Sequence, residues 1–441
     1  MSEPRTAAYP PPALRRVLAD KLSITRNNSK RSMISKVILL ACLSLFGAIA
    51  IAAPLAAHGG SNNRLPVTAR GAVGDGVTLN TKAIQAAIDG VAATGGGTVV
   101  FPPGEFLSGA LFLKPGVNVE LLAGAILKGS SNFVDYPTLT NARFEGHFED
   151  RVAALLNVAK SDHFRLTGPG LIDGNGAAYW KMPSPLGRPR LCAIRDSRDV
   201  VVSGVCFSNS PTWNLHLYNC RRTIVKDCRF EITPGSAGPS TDGIDIDSSQ
   251  YILVTGCYFS VNDDCVCLKG NRYDGLNQQP ASPPVRNVRV QNCTFARGMG
   301  ALTLGTEAQG IRNAELKNSV VRGRMPLLRI KFRPDTANQD YRHVRVSNIQ
   351  LEGNAGTIVG VEPGHGTKVP SPKAPISHAS GISLQNISGT FGSFGSLSGG
   401  AIATMSDITL RNIHVTVARN AELNTNGVVG LKIEDVVVQM K

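Results

Sequence analysis

The sequence is poor in charged and aromatic residues and in the signals of hairpins and helices. Aromatic residues make up 6% and charged residues 18% of its 441 residues. Asn-Gly pairs, which favour tight hairpin turns, are scarce, so an antiparallel β-sandwich is only the second choice of fold. A hydrophobic content of 42% nevertheless indicates a folded core beyond the N-terminal segment.

The first sixty residues have the composition of a targeting segment. Residues 1–36 contain eight Lys or Arg against two acidic residues, and the apolar run 37–53 carries no charge. A basic region, an apolar run and an Ala-rich cleavage region are typical of a secretory signal peptide. We predict a leader over 1–60, with Met33 as a second candidate start, and a single catalytic domain over 61–441.

Two alternatives for the leader stay open. The apolar run approaches the length that spans a bilayer, so it could serve as a membrane anchor. The sequence LLAC, ending at Cys42, resembles a lipoprotein site, although the apolar run continues past it. With the leader removed, we expect a secreted or periplasmic protein without an integral membrane span.

The charge balance indicates an acidic partner. Residues 1–36 contribute six of the fourteen net positive charges, so the rest of the chain carries about eight. A basic surface attracts acidic polysaccharide, nucleic acid or anionic membrane. Export disfavours nucleic acid, and we expect none as a partner. A role of the charge in solubility alone is an equally good explanation.

The cysteines belong to a repeat rather than to a disulfide framework. Eight of the nine follow the leader, and an even number would permit disulfides in an oxidising compartment. Four of them, however, recur in one local phrase of short apolar segments. They are Cys206, Cys228, Cys257 and Cys293.

The same phrase predicts the fold. An apolar-x-apolar strand, a polar pair with Asn, Asp or Gly, and a second short strand recur at intervals of 20 to 40 residues. Examples are VVSGVCFSNS from 201, LVTGCYFSV from 253, VRVSNIQLEG from 344 and ITLRNIHV from 408. Short strands without helices between them indicate a solenoid, and the Asn or Gly marks a bend with left-handed backbone. We predict an all-β, right-handed parallel β-helix.

A single amphipathic helix is expected to cap the N-terminal end of the solenoid. Apolar residues fall at i, i+3, i+4 and i+7, which is one face of a helix. They are Ile84, Ala87, Ile88 and Val91. Asn80 or Thr81 is the candidate N-cap.

Five carboxylates lie within 23 residues of this weakly charged chain: Asp242, Asp245, Asp247, Asp263 and Asp264. The span covers about one coil, and stacked coils lie about 5 Å apart. Asp242 can therefore lie beside Asp263 or Asp264, which share a cleft only if one of them is at a bend. One acid held protonated beside one held ionised is what glycosidic cleavage requires.

Other roles for these acids are open. Asp-Gly and Asp-Ser pairs are common in turns, so we expect Asp245 and Asp247 to be structural. Clustered carboxylates also suit calcium. We nevertheless expect neither a metal nor a cofactor.

Several motifs resemble the polygalacturonase-like glycoside hydrolases of family 28. They are STDGID, NDDC, GMGALTLGTE and LLRIK, in the family's order. Upstream, GAVGDGVTLNTKAIQAAIDG and GGGTVVFPPGEF resemble the first coil of the pectinase superfamily, and NSPTWNLH resembles another family segment. The resemblance covers about residues 65–440.

The resemblance implies an inverting hydrolase of galacturonate-containing pectic polysaccharide or oligosaccharide. Asp263 matches the acid that protonates the leaving oxygen, and Asp242 and Asp264 match the pair that activates water. Arg329 and Lys331 match the residues that hold a galacturonate carboxylate. Because alternate residues of a strand face the same way, both can reach one anion.

The sequence departs from the family pattern in its binding residues. Met299 stands where a His is expected, Ser240 stands for an Asn, and no tyrosine follows Tyr341. Met cannot donate a hydrogen bond to a carboxylate. We expect altered subsites, with exo action or cleavage of branched pectin as the candidates. The insertion at 271–287 could wall one end of the cleft, or be a neutral surface loop.

Two other functions are compatible with these residues. A non-catalytic glycan-binding β-helix would explain Met299. A lyase on the same fold would use a basic residue and usually calcium, and the NDDC and RIK motifs argue against it. We expect a monomer.

Overall fold

Short parallel strands, stacked in successive coils, make up almost the whole structure. The computed structural model describes residues 63–272, 282–334, 336, 338–365 and 376–441. The leader predicted over 1–60 and most of the insertion at 271–287 lie outside these residues. Gly59–Lys441 form one compact unit. The extent of the catalytic domain stays a prediction.

The strands are numbered in chain order. They are β1 Arg64–Pro66, β2 Asp75–Leu79, β3 Gly97–Phe101, β4 Gly104–Ser108, β5 Leu111–Leu113, β6 Val117–Leu121, β7 Ala125–Gly129, β8 Thr138–Phe144, β9 His147–Val152, β10 Leu156–Ala159, β11 Arg165–Thr167, β12 Leu171–Asp173, β13 Cys192–Arg195, β14 Val201–Ser203, β15 Cys206–Ser208, β16 Leu215–Tyr218, β17 Arg221–Lys226, β18 Arg229–Glu231, β19 Ile244–Asp247, β20 Gln250–Thr255, β21 Tyr258–Ser260, β22 Asp264–Lys269, β23 Val285–Gln291, β24 Thr294–Arg297, β25 Gly300–Leu304, β26 Gly310–Val321, β27 Pro326–Phe332, β28 Asp340–Glu352, β29 Thr357–Pro363, β30 Ser377–Ser396, β31 Ala403–Asn424, β32 Val428–Val429 and β33 Lys432–Met440. Short 3-10 turns lie at Val67–Arg70, Phe133–Asp135 and Gly176–Ala178.

Parallel pairing between coils arranges these strands in three series. Sheet A runs β5, β10, β13, β16, β19, β22, β25, β27, β29. Sheet B begins β1, β3, β6, β11 and continues through β14, β17, β20, β23, β26, β28, β30, β31 to β33. Sheet C runs β2, β4, β7, β12, β15, β18, β21, β24. The parallel β-helix is therefore confirmed.

Inward-facing side chains form continuous ladders through the core. In sheet C, four phenylalanines on successive coils stack with ring centroids 5.0, 5.1 and 5.2 Å apart and with nearly parallel planes. They are Phe207, Phe230, Phe259 and Phe295, all with no exposed surface. The register that stacks the coils thus also stacks equivalent side chains.

Asparagines at the bends take the left-handed conformation that the repeat predicted. Asn318, Asn348, Asn386 and Asn412 have φ between 49° and 56°. The side-chain amides of the last three each donate to the amide oxygen of the asparagine one coil earlier, at 2.8–2.9 Å. Asn tolerates this conformation better than other non-glycine residues, which explains its recurrence. The eight cysteines after the leader are free thiols.

The N-terminal helix, α1 Thr81–Ala93, lies where the sequence predicts it. Ile84, Ala87, Ile88 and Val91 are buried and belong to the core that the first coils surround. Asn80 occupies the N-cap position, but its side chain bonds the backbone of Val73 instead of capping the helix. None of the helices in the described ranges is long and apolar enough to cross a membrane.

One antiparallel hairpin, β8–β9, interrupts the parallel stacking and was not expected from the sequence. It is inserted between β7 of sheet C and β10 of sheet A. Glu145 and Gly146 join its strands with φ of 43° and 80°. Both residues therefore have the positive φ that a tight hairpin turn needs.

The phenylalanine ladder gives a test of core packing. We expect Phe259→Ala to lower the free energy of unfolding by about 3–5 kcal/mol, because neighbouring coils hold the cavity open. Urea denaturation measures the change. Val77→Ala, at a side chain 78% exposed, is the control and should change stability by less than about 0.5 kcal/mol. Equal effects of the two substitutions would show that the ladder does not stabilise the fold.

Candidate active site

The coil register brings Asp242 beside the Asp263–Asp264 pair. Asp242 lies in the bend before β19, and Asp264 begins β22 one coil later. The N–H of Gly243 donates to the carbonyl of Asp264 at 2.9 Å, and the N–H of Asn262 donates to the Thr241 hydroxyl at 3.0 Å. These contacts fix the two segments against each other.

Asp263 lies in a bend and Asp264 in a strand, so the two neighbours can face one cleft. The Oδ1 atom of Asp263 accepts the N–H of Asp264 at 2.9 Å. Asp264 is fully buried, Asp242 is 3% exposed and Asp263 is half-buried. The three aspartates therefore form one cluster with Asp263 at its more open side.

Asp264 is enclosed by hydrogen-bond donors on later coils of sheet A. Its Oδ1 accepts from Thr303 Oγ1 at 2.8 Å and Arg329 Nη1 at 3.0 Å, and its Oδ2 accepts from Lys331 Nζ at 2.7 Å. Burial alone would raise the pKa of Asp264, but Lys331 and Arg329 outweigh it and lower the pKa to about 2. Asp264 is therefore ionised at neutral pH.

The pKa values of the other two aspartates, Asp242 and Asp263, are shifted in the opposite direction. Burial raises the pKa of Asp242 well above its ordinary value, and Asp245 and Asp263 raise it further. Burial and then the charge of Asp264 raise the pKa of Asp263. Like charges in one buried cluster oppose the ionisation of all three acids, so Asp264 carries a negative charge most readily and Asp242 and Asp263 hold a proton more readily than an isolated aspartate.

Arg329 is shared between two carboxylates, one of which the sequence analysis missed. Its Nε and Nη2 donate to Glu362 at 2.7 and 3.0 Å, in addition to the bond with Asp264. His365 Nδ1 lies 2.8 Å from Glu362 Oε2, the oxygen that also accepts from Arg329 Nη2. Glu362 is paired with Lys331 in the β27–β29 register, a position that no local motif reveals.

Two predicted substrate-binding residues lie at the edge of the cluster. Ser240 has φ of 57°, and its carbonyl accepts from the Thr212 hydroxyl at 3.3 Å. The Met299 N–H donates to the Asp263 carbonyl at 2.9 Å, and its side chain is 50% exposed. In the described residues, no hydrogen bond joins either side chain to the three aspartates.

A buried cation lies on the N-terminal side of the cluster. Lys269 Nζ is 3.3 Å from Glu307, 3.7 Å from Asp245 and 4.9 Å from the centre of the Trp213 ring. Asp245 is fully buried, and neither of its carboxylate oxygens has a hydrogen-bond partner in the described part of the chain. It lies in strand β19 rather than in a turn. The sequence analysis did not single out Lys269 or Glu307.

The β8–β9 hairpin is fastened to the same end of sheet A. Arg143 donates to both oxygens of Asp247, at 2.8 and 3.1 Å, and to the Gly270 carbonyl at 2.6 Å. Phe144 stacks on Trp213 with centroids 4.1 Å apart. Asp247 thus has a structural contact, as expected, and the hairpin packs against sheet A on the coils of β16, β19 and β22.

Asp242, Asp264 and Cys267 could provide ligands to a metal, since one ligand atom of each lies within 4.8 Å of the others. Their protonation does not favour a cation. Lys331 and Arg329 already neutralise Asp264, while burial raises the pKa values of Asp242 and Cys267. A water molecule, which accepts and donates hydrogen bonds, fits these groups better.

The site combines an ionised carboxylate with two carboxyls of raised pKa on a parallel β-helix, an arrangement that suits glycosidic cleavage. The model of Glycosyl hydrolases family 28 matches residues 123–434, and the chain belongs to that family. A second model, Rhamnogalacturonase A/epimerase, pectate lyase-like, matches residues 65–148.

Curated relatives carry related names. An exopolygalacturonase of Zea mays is 25% identical over 312 residues, which cover 68% of this chain and 70% of that one. A probable polygalacturonase of Vitis vinifera is 29% identical, over 54% of this chain and 51% of its own length. An exo-poly-alpha-D-galacturonosidase of Dickeya chrysanthemi is 28% identical, over 61% and 52%. The chain spans about half the length of the last two relatives.

Solved structures share the fold. An exopolygalacturonase from Thermotoga maritima has a TM-score of 0.66 and 20% identity, over 86% of this chain and 92% of that one. A polygalacturonase from Erwinia carotovora has a TM-score of 0.62 and 22% identity, over 83% and 95%. At these identities the likeness concerns the β-helix itself.

The Arg143–Asp247 pair gives a test of the hairpin's attachment. We expect Arg143→Leu to lower the free energy of unfolding by about 3–5 kcal/mol at neutral pH, because Asp247 is left charged and buried. Arg222→Leu removes the exposed pair with Asp199 and should cost about 0–1 kcal/mol.

The pH dependence of the Arg143→Leu effect follows from the pKa of Asp247. That pKa is about 2 in the folded protein, because Arg143 and His216 outweigh burial, and it is about 3.9 when unfolded. The stabilisation is complete above the unfolded value and is lost as pH falls through the folded one. The difference from wild type should therefore shrink between pH 4 and pH 2. A constant difference over this range would contradict the assignment.

Proposed function

We propose that the protein is an exported, inverting hydrolase of galacturonate-containing pectic polysaccharide, acting from a chain end. One observation supports this proposal above the others. Asp264 is kept ionised by Lys331 and Arg329, while the adjacent Asp263 has a raised pKa. Inverting hydrolysis needs this combination of a base and an acid.

Asp263 is the general acid in this proposal. It donates its proton to the glycosidic oxygen as the bond from that oxygen to the anomeric carbon breaks. Water attacks the anomeric carbon from the opposite face and passes its proton to Asp264. Exchange with solvent then returns the proton to Asp263 and removes the one on Asp264.

Asp242 and Asp264 have separate tasks in water activation. Oxygens of both lie within the 4.8 Å cluster, close enough for one water to contact both. Because the pKa of Asp242 is raised, its carboxyl orients this water by hydrogen bonding, and Asp264 is the base. The resemblance to the family treats these two residues as one pair, and the protonation states divide their roles.

Arg329 and Lys331 recognise the substrate carboxylate. Both face the cleft, and both are paired with Asp264 in the free protein. A galacturonate carboxylate next to the scissile bond would share their remaining donors. Ser240 and Met299 lie at the edge of the cluster and would contact neighbouring sugar atoms, Met299 through an apolar surface.

The β8–β9 hairpin is the reason for proposing attack at a chain end. It packs on Trp213 and Asp247 and reaches the end of β22, the strand that Asp264 begins. A polysaccharide chain cannot continue through this covered face. The names of the Zea mays and Dickeya relatives agree with this mode of attack. Most of the insertion at 271–287, the other candidate wall, lies outside the described residues.

Reducing-sugar release from polygalacturonate tests the reaction. We expect wild type to release short products of one size from the start of the reaction, while the viscosity of the polygalacturonate solution falls little at first. Asp263→Asn should lower kcat at least about 10³-fold, since the leaving oxygen loses its proton donor. Glu434→Gln, at an exposed position of β33 in sheet B, is the control. An unsaturated product absorbing in the ultraviolet would show a lyase, and binding without cleavage would show a glycan-binding protein.

The pH–rate profile tests the charge on Asp264. With a pKa of about 2, this base stays ionised in acid, so the acidic limb of kcat/KM should lie near pH 2–3. Lys331→Met should raise that pKa to or above the ordinary value of about 3.9 and move the limb upward by at least about one pH unit. The alkaline limb, set by loss of the Asp263 proton, should move less. Lys317→Met, which removes a surface partner of Glu315, should leave both limbs in place.

A further inference from the structure

A second groove, lined by arginines, opens on the opposite side of the aspartate cluster from the hairpin. Its volume is about 420 Å³, and the bends before β25, β27 and β29 line it. The lining residues include Arg297, Gly298, Arg322, Gly323, Arg324 and Asn354. The groove thus follows three successive coils beyond the one that carries Asp263.

The groove is strongly basic. None of the described residues that line it is acidic, and Arg322 and Arg324 are exposed. Two further cations lie at its rim, since Arg419 donates to the Ala355 carbonyl and Lys441 Nζ lies 3.5 Å from Asn354 Oδ1. One acidic residue, Glu352, forms an ion pair with Arg322, with 2.7 Å between Glu352 Oε2 and Arg322 Nε. Such a concentration of positive charge attracts an anionic ligand.

The guanidinium of Arg297 is oriented by one hydrogen bond and has a donor that forms none. Its Nε donates to the Val261 carbonyl at 3.2 Å, which orients the guanidinium. Its Nη2 is buried and has no hydrogen-bond partner in the ranges described. An unpaired buried donor costs free energy, and a carboxylate in the groove would remove that cost.

The groove is continuous with the catalytic coil. Gly298 packs so closely that an added Cβ would lie 2.5 Å from Cys265 Sγ and 2.9 Å from the Asp263 carbonyl oxygen. The next residue, Met299, donates its N–H to that same carbonyl. One bend therefore forms both the wall of the groove and the support of Asp263.

We infer that this groove binds a further uronate of the substrate, beyond the sugar whose carboxylate Arg329 and Lys331 hold. The inference rests on the proposed function. The hairpin closes one side of the cluster, so a long acidic chain leaves the site on the side of the groove. Its negative charges then meet Arg297 on one coil and Arg322 and Arg324 on the next. The groove favours long, unesterified chains over short or neutral ones.

Binding to an inactive full-length protein tests the inference directly. In an Asp263→Asn background, calorimetry would compare tetragalacturonate, digalacturonate and an uncharged galactose tetramer. We expect Arg297→Gln and Arg324→Gln together to weaken tetragalacturonate binding about 10- to 100-fold, since each removes a charge-assisted hydrogen bond. Binding of digalacturonate should change less than about twofold. The matched control replaces the exposed Arg342 and Arg345 of β28 with Gln.

The active enzyme provides the second readout. The Arg297→Gln and Arg324→Gln pair should raise KM for polygalacturonate with little change in kcat, whereas a structural defect would lower kcat for every substrate. Arg324→Gln alone, at an exposed side chain, should show part of the effect without any fall in melting temperature. Unchanged tetragalacturonate binding and KM would overturn the inference.

The two proposals fail in different ways. If wild type cleaves nothing but tetragalacturonate binding still depends on Arg297 and Arg324, hydrolysis is wrong and the groove is supported. If wild type cleaves normally and the arginine variants match it, the groove is wrong and hydrolysis stands. If wild type cleaves nothing and the inactive protein binds no galacturonate oligomer, both are wrong.

Discussion

The register between coils is the constraint on which both the fold and the site depend. Parallel pairing places Asp242 next to Asp264, which are 22 residues apart in sequence, and brings Arg329 and Lys331 from two coils further on. The same pairing stacks the phenylalanines of the core and the asparagines at the bends. A shift of one residue in any of these strands would turn its inward side chains outward and separate the aspartates from their partners.

Buried charge is tolerated at this site because each charged group has a partner of opposite sign. Asp264 has Lys331 and Arg329, Glu362 has Arg329, and Lys269 has Glu307. The acids without such a partner, Asp242 and Asp263, have raised pKa values. The opposite pKa shifts of neighbouring aspartates therefore follow from which cations the next coils supply.

The sequence alone predicted what repeats and what lies in short motifs. The repeated phrase revealed the β-helix, the helical period revealed α1, and NDDC with STDGID revealed the aspartates. It did not reveal Glu362, because a single Glu in a strand has no local signature and acquires its meaning from pairing with Lys331. The hairpin was missed because its turn is Glu-Gly rather than Asn-Gly. Asp245 and Asp247, expected to be structural, lie in β19 rather than in a turn, because the Asp-Ser pair that indicates a turn ends a strand here.

The attachment of the hairpin also constrains how the chain can vary. Residues 138–152 lie between two coils, so their removal would leave the register of the sheets intact. It would, however, remove Arg143 and leave Asp247 charged within the protein. A variant that opens this end of the cleft would therefore need a neutral residue at 247 as well. In this fold, the width of the cleft and the identity of one side chain on β19 must change together.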